Sequence, residues 1–171
     1  ESARDRGLSL FADCYPYTAS CTDLAAMVLP GWAMEGTAAD RLARLADPRQ
    51  RTRIVEQVNA RGPKFFDDVH VIDFSRPDLR YLAGKSLTEV GRTLGLPPVE
   101  AALKLIVDDN LQPEAIHFCM TEEEKHAIYS WPFVMVGSDY AARDATAPGP
   151  MVHPRAFGTS AAFLSKYVRD A

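Results

Sequence analysis

Residues 115–137 read AIHFCM-TEEEKHAIYS-WP-FVMVG, and this stretch decides the fold class. Ala115–Met120 is a short run with apolar residues at both ends, of strand length. Thr121 followed by Glu124 forms a capping box, which opens a helix that runs to about Ser130. Pro132 ends it, and Phe133–Gly137 is a continuous apolar run of the kind found in a strand buried on both faces. Strand, helix and buried strand in that order predict a βαβ unit, whose strands are parallel. The chain is therefore expected to be an α/β protein.

Working outward, a polar loop follows from Ser138 to Pro154, and a last helix is expected over Phe157–Arg169. On the other side, Pro97-Pro98 opens a helix in which Val99, Ala102, Leu103, Ile106 and Val107 share one face. Ser86 and Glu89 form another capping box, starting a helix that Gly95 stops. Val69–Phe74 is a short strand. Thr37 to about Ala60 is helical in two pieces, divided at Asp47-Pro48 and ended by Arg61-Gly62-Pro63. Tyr15–Pro30 reads as a loop, and Leu8–Cys14 before it as a buried strand.

The 171 residues carry 19 Lys and Arg against 23 Asp and Glu, a net charge of −4. That balance argues against a nucleic-acid platform, which needs a basic face. No apolar run reaches the roughly 18 residues of a membrane span. Hydrophobic residues at 47% and charged residues at 25% are an ordinary globular mix. Length points to one domain, with an appended piece at most. Cys14, Cys21 and Cys119 are odd in number with no CxxC spacing, so a disulfide framework is not expected and a reducing, cytoplasmic setting is. The N-terminus is charged, lacks an apolar signal segment and has no initiator Met, so the chain is expected to begin inside a longer protein.

Chemistry is expected first at Val136-Gly137-Ser138-Asp139. A carboxylate just past the C-terminal end of a parallel strand stands where barrel enzymes keep their active sites. Asp139 there suits a metal ligand or general base, and equally an Asx turn or helix cap. Asp13-Cys14-Tyr15-Pro16-Tyr17 also follows a strand; Asp13, Tyr15 and Tyr17 share a face if the strand stays extended. The phenols suit a ligand, or packing at a strand end. Arg155, in His153-Pro154-Arg155, offers a planar fork for a carboxylate or a surface ion pair. His70, His117 and His126 form no HxH or HExxH and read as structural. Cys14 and Cys21 suit small buried positions better than a metal. Glu122-Glu123-Glu124 reads as a favourable helix N-terminus.

Several segments in series resemble the N-acyl-D-amino-acid deacylase (D-aminoacylase) family of the amidohydrolase superfamily. They are YPYTAS at 15–20, LPGWAMEG at 29–36, GKSL at 84–87, PPVEAALKLIVDD at 97–109, VMVGSD at 134–139, HPRAFGT at 153–159 and KYVR at 166–169. The resemblance implies part of a (β/α)8 metal-dependent-hydrolase barrel. Residues 1–35 would hold a barrel strand and its loop, 36–85 an inserted, mainly helical lid, and 86–171 barrel helices and the last strands. It implies that Asp139 is the general base and acid beside or on a zinc ion, that Arg155 grips the α-carboxylate of an N-acyl-D-amino acid, and that Tyr15 or Tyr17 lies near that carboxylate. Zinc would polarise the amide carbonyl and acidify the attacking water. The family's HxH, its metal-binding Cys and two further histidines match nothing in these residues; a catalytic zinc takes about three protein ligands. Such a barrel also takes roughly 250 residues. The chain is therefore expected to be a C-terminal part of the barrel, inactive and metal-free alone, and prone to self-association through open sheet edges. Tyr140 stands where the family has Gly, and the loop 141–149 is longer than the family's. Two other readings stay open on the sequence: a non-catalytic binding module that keeps half a barrel, and a hydantoinase-like hydrolase of cyclic amides.

Overall fold

Three helix starts are fixed by reciprocal bonds between a cap side chain and the backbone three residues on. Thr37 pairs in this way with Asp40, Ser86 with Glu89, and Thr121 with Glu124. In each, the cap hydroxyl accepts the third residue's N–H and that residue's carboxylate accepts the cap's N–H. The computed structural model describes residues 2–141 and 151–169. In chain order the elements are α1 (Ser2–Asp5), β1 (Ala12–Cys14), β2 (Ala19–Asp23), α2 (Leu24–Val28), α3 (Gly31–Met34), α4 (Ala38–Ala46), α5 (Pro48–Asn59) and α6 (Pro63–Asp68). There follow β3 (Val69–Asp73), a 3-10 turn at Pro77–Leu82, α7 (Leu87–Leu94), α8 (Pro98–Asp108), β4 (Glu114–Phe118), α9 (Glu122–Tyr129), β5 (Val134–Val136) and α10 (Arg155–Leu164), which runs into a π turn at Ser165–Arg169. The chain is mixed α/β, and no described helix is long and apolar enough to cross a membrane.

These elements form two compact units. The larger comprises residues 20–118 with 151–152. Its sheet has the order β2-β4-β3, with β3 and β4 antiparallel and Val69, His70 and Val71 opposite His117, Ile116 and Ala115. Leu24, Val28, Ile54, Val58, Val71 and Leu82 are fully or almost fully buried between this sheet and the helices. Helix α8 runs through the middle of the cluster, with Val99, Ala101, Ala102, Leu103, Leu105 and Ile106 all buried. The expected stripe included Val107, which is exposed instead. Because α2, α4, α5 and α7 all pack against α8, its buried arc is wider than one stripe and rotates past Val107. After β3 the chain is tied down by buried Asp109, whose carboxylate accepts the N–H groups of Ser75 and Arg76 at 2.8 and 2.9 Å and the Ser75 hydroxyl.

The smaller unit comprises residues 2–19, 119–141 and 153–169. Its sheet is the parallel pair β1–β5, with Ala12, Asp13 and Cys14 opposite Val134, Met135 and Val136. The parallel geometry expected of β5 is present, but its partner is β1 and not β4, which belongs to the three-stranded sheet. Strand, helix and strand in sequence do not dictate adjacency in a sheet: a parallel neighbour has to arrive from elsewhere along the chain. The segment 15–30, expected to be a loop, contains β2 and α2. Neither signals itself, since ASCTD is polar and LAAMV is only five residues long, too short for a helical period to show.

Candidate functional site

The parallel pair positions the candidate site. Tyr15 follows β1 directly, and Asp139 lies three residues past β5, so both leave the same C-terminal edge. The Gly137 N–H donates to the Cys14 carbonyl at 3.0 Å, carrying the pairing one step beyond β5. Gly137 has no room for a side chain: a β-carbon there would lie 2.9 Å from the Asp13 carboxyl carbon. Asp139 then takes φ of 49°, the left-handed region that Asp tolerates better than bulkier residues.

Arg155 opens α10 and its side chain is 7% exposed. Its Nη1 lies 2.9 Å from the Asp139 Oδ2, and its guanidinium stacks on the Tyr15 ring at 4.6 Å from the centroid. Tyr140 lies at 5.9 Å from the same guanidinium carbon. Asp139 itself is 69% exposed, so this ion pair is open to water on the carboxylate side. A guanidinium presents its donors in a planar fork, the geometry that suits a carboxylate.

His153 builds the site from behind. It is 2% exposed, its Nε2 lies 3.0 Å from the Ala19 carbonyl, and its Nδ1 lies 3.0 Å from the Arg155 N–H. The Arg155 N–H can only donate and the Ala19 carbonyl can only accept, so the ring is neutral with its proton on Nε2. Burial pushes its pKa below the usual imidazole value, assisted by the Arg155 charge and partly opposed by the bond to Ala19. The rings of Tyr15 and Tyr17 meet His153 edge-on at 6.0 and 5.4 Å. Burial raises both phenol pKa values, against the lowering pull of Arg155 on Tyr15 and of Lys166 on Tyr17. Both therefore stay protonated donors at neutral pH. Tyr17 reaches the helix behind Arg155, where a β-carbon on Gly158 would lie 2.5 Å from its hydroxyl.

The structure thus brings Asp139, Arg155 and Tyr15 into direct contact, with Tyr17 joined to them through His153. Sequence reasoning missed His153 as a support and also missed Lys125, which is 1% exposed beside the Tyr15 ring. The signal for His153 was its place two residues before Arg155. Lys125 gave none, because a Lys after three Glu at a helix start reads as solvated. The other histidines lie elsewhere: His117 against Phe65, His70 against Phe118 and His126 against Tyr167. Among the described residues no group of three His, Cys, Asp or Glu side chains could hold a metal ion, so those residues do not by themselves fit a zinc site. The loop 142–150 lies outside the described residues.

No protein-family model matches the chain. Over 88 residues, 52% of this chain and 16% of the relative, it is 36% identical to an N-acyl-D-glutamate deacylase of Alcaligenes xylosoxydans xylosoxydans. Its fold matches an N-acyl-D-glutamate deacylase from Bordetella bronchiseptica, solved with zinc and a phosphonate inhibitor that mimics the tetrahedral intermediate. That match has a TM-score of 0.62 and 27% identity, and covers 99% of this chain and 26% of the other. A D-aminoacylase structure shares the fold at a TM-score of 0.57 and 23% identity, again over 26% of its length. The chain therefore spans about a quarter of the solved deacylases and a smaller share of the curated one.

Proposed function

We propose that this chain carries the carboxylate-recognition and proton-transfer side of an N-acyl-D-amino-acid deacylase. The observation that supports this reading is the convergence of Tyr15 and Asp139, from the C-terminal ends of two paired parallel strands, on the buried guanidinium of Arg155. In that reading β1 and β5 are neighbouring staves of a (β/α)8 barrel, and residues 36–85 are its lid. Arg155 fixes the α-carboxylate of the substrate by a charge-assisted pair of hydrogen bonds. The Tyr15 hydroxyl donates to the same carboxylate. Asp139 accepts the proton of the attacking water and returns it to the leaving amide nitrogen, producing a carboxylic acid and a free D-amino acid. Zinc belongs to this reading only with ligands beyond the described residues, and the carboxylate-binding roles of Arg155 and Tyr15 do not depend on it. Phe11, just before β1, and Met135 in β5 stay exposed, apolar surface that supports self-association.

The test is a titration of the chain with N-acetyl-D-glutamate, followed by backbone amide NMR. Shifts are expected at Tyr15, Tyr17, Asp139, Tyr140, His153, Arg155 and Ala156, with binding weakened about tenfold to a hundredfold in Arg155→Ala, the range for losing a hydrogen bond to a charged group. Equal shifts with an analogue whose α-carboxylate is an amide would sink the reading.

A further inference from the structure

Lys125 is fully buried, and its side-chain nitrogen meets a thiol and an aromatic ring. Its Nζ lies 3.2 Å from the Cys14 sulfur and 4.6 Å from the centroid of the Tyr15 ring. A buried Lys ordinarily has a carboxylate partner, because desolvating a lone charge is costly. Here the nearest hydrogen-bonding partner is a thiol, and the arrangement is held firmly. Lys125 sits in the first turns of α9, whose start is locked by the Thr121–Glu124 box. Cys14 ends β1, where the Tyr129 hydroxyl of the same helix donates to its carbonyl at 2.6 Å. Two independent attachments thus keep nitrogen and sulfur in contact. Cys14 as a residue is only half-buried, whereas Lys125 is enclosed.

We propose that Cys14 and Lys125 are a modification site at which a peroxide joins the two side chains through a sulfur–nitrogen bond. The peroxide first oxidises the thiol to a sulfenic acid and is itself reduced to water or an alcohol. The Lys125 nitrogen, as the neutral amine, then attacks the sulfenyl sulfur. The S–O bond breaks, the S–N bond forms, and hydroxide leaves with one nitrogen proton as water. The product is a sulfenamide that has lost two hydrogens relative to the reduced pair, and it returns to thiol and amine on treatment with a dithiol. The link ties the end of β1 to α9 beside Tyr15. It stands whether or not the chain binds an N-acyl amino acid.

The experiment treats the whole chain with hydrogen peroxide, blocks remaining thiols, digests it and maps the peptides by tandem mass spectrometry. The expected result is a cross-linked pair containing residues 14 and 125, lighter by two hydrogens and lost after dithiothreitol. Lys125→Arg keeps the cation but removes the nucleophile; its Cys14 is expected to advance to sulfinic acid. Should that variant fail to fold, the wild-type map decides alone. Sulfinic acid at Cys14 beside an unmodified Lys125 in the wild-type chain overturns the proposal, as does a disulfide from Cys14 to Cys21 or Cys119.

Discussion

Gly158 and Tyr17 make a pair whose energetics can be read from one distance. A β-carbon at Gly158 would come within 2.5 Å of the Tyr17 hydroxyl, while the ring carbon that bears it lies 3.8 Å away, an ordinary contact. Gly158→Ala is therefore expected to destabilise the wild-type chain by about 1–3 kcal/mol through overpacking. In a Tyr17→Phe background the clash is gone, and Ala's better helix propensity should make the same change neutral or stabilising by up to about 1 kcal/mol. Urea midpoints of the four proteins close the cycle; equal costs in both backgrounds would show that Tyr17 does not sit on that helix. His153 carries the other residue-scale expectation. Its folded pKa is depressed, so the unfolded chain takes up a proton first as pH falls. Its contribution is fully present above the unfolded value of roughly 6.5 and declines as pH drops from there towards the lower folded value. His117, whose pKa burial also lowers, contributes in the same window. The denaturation midpoint should thus fall as pH drops from about 7.5 to about 5, and less steeply in His153→Gln. A protonated His153 can no longer accept the Arg155 N–H, so carboxylate binding should weaken over the same range. An unchanged slope in His153→Gln would show that the histidine's titration does not set the midpoint.

Among the elements, α8 shows what periodicity can and cannot convey. Its position was legible from Pro97-Pro98 and the apolar spacing, because a helix with one dry face writes that face into the sequence at a period of 3.6. How wide the dry arc is depends on how many neighbours press on it, which the helix's own residues do not record; hence Val107 is outside and Leu105 inside. The caps were legible for a similar reason: Ser86 with Glu89 and Thr121 with Glu124 are local chemistry, complete within four residues. The β2–α2 segment was not legible, since its strand is defined by partners far along the chain. Leu103, fully buried in α8, is the sharper probe of this packing. Leu103→Ala is expected to cost about 2–5 kcal/mol, whereas Val107→Ala should stay within about 0.5–1 kcal/mol. Thermal or urea denaturation distinguishes them, and similar losses at both positions would mean that α8 is rotated about its axis, with Val107 turned inward.

For the molecule as a whole, the strand-end and helix-start positions of the candidate residues were more legible than the sheet that carries them. Asp139, Tyr15 and Arg155 each sit beside a strand end or a helix start, and such positions announce themselves through Gly, Pro and a break in apolar pattern. Their convergence could not be read from any one segment: residues 15, 139 and 155 meet because β1 and β5 pair in parallel, a contact between strands far apart along the chain. The same reasoning sets an expectation for metal and turnover. Hydrolysis at a catalytic zinc calls for about three protein ligands and an open position. Asp139 supplies at most one, and its carboxylate already faces Arg155 at 2.9 Å. Competition with that guanidinium lowers its value as a ligand further, since a cation beside the carboxylate opposes the approach of a second one. The purified chain, dialysed against micromolar zinc and then buffer, is therefore expected to retain well under one equivalent by elemental mass spectrometry. Release of D-glutamate from N-acetyl-D-glutamate should stay at background, with Asp139→Asn no slower than wild type. One retained zinc with turnover that Asp139→Asn abolishes would show that a second copy of the chain completes the metal site.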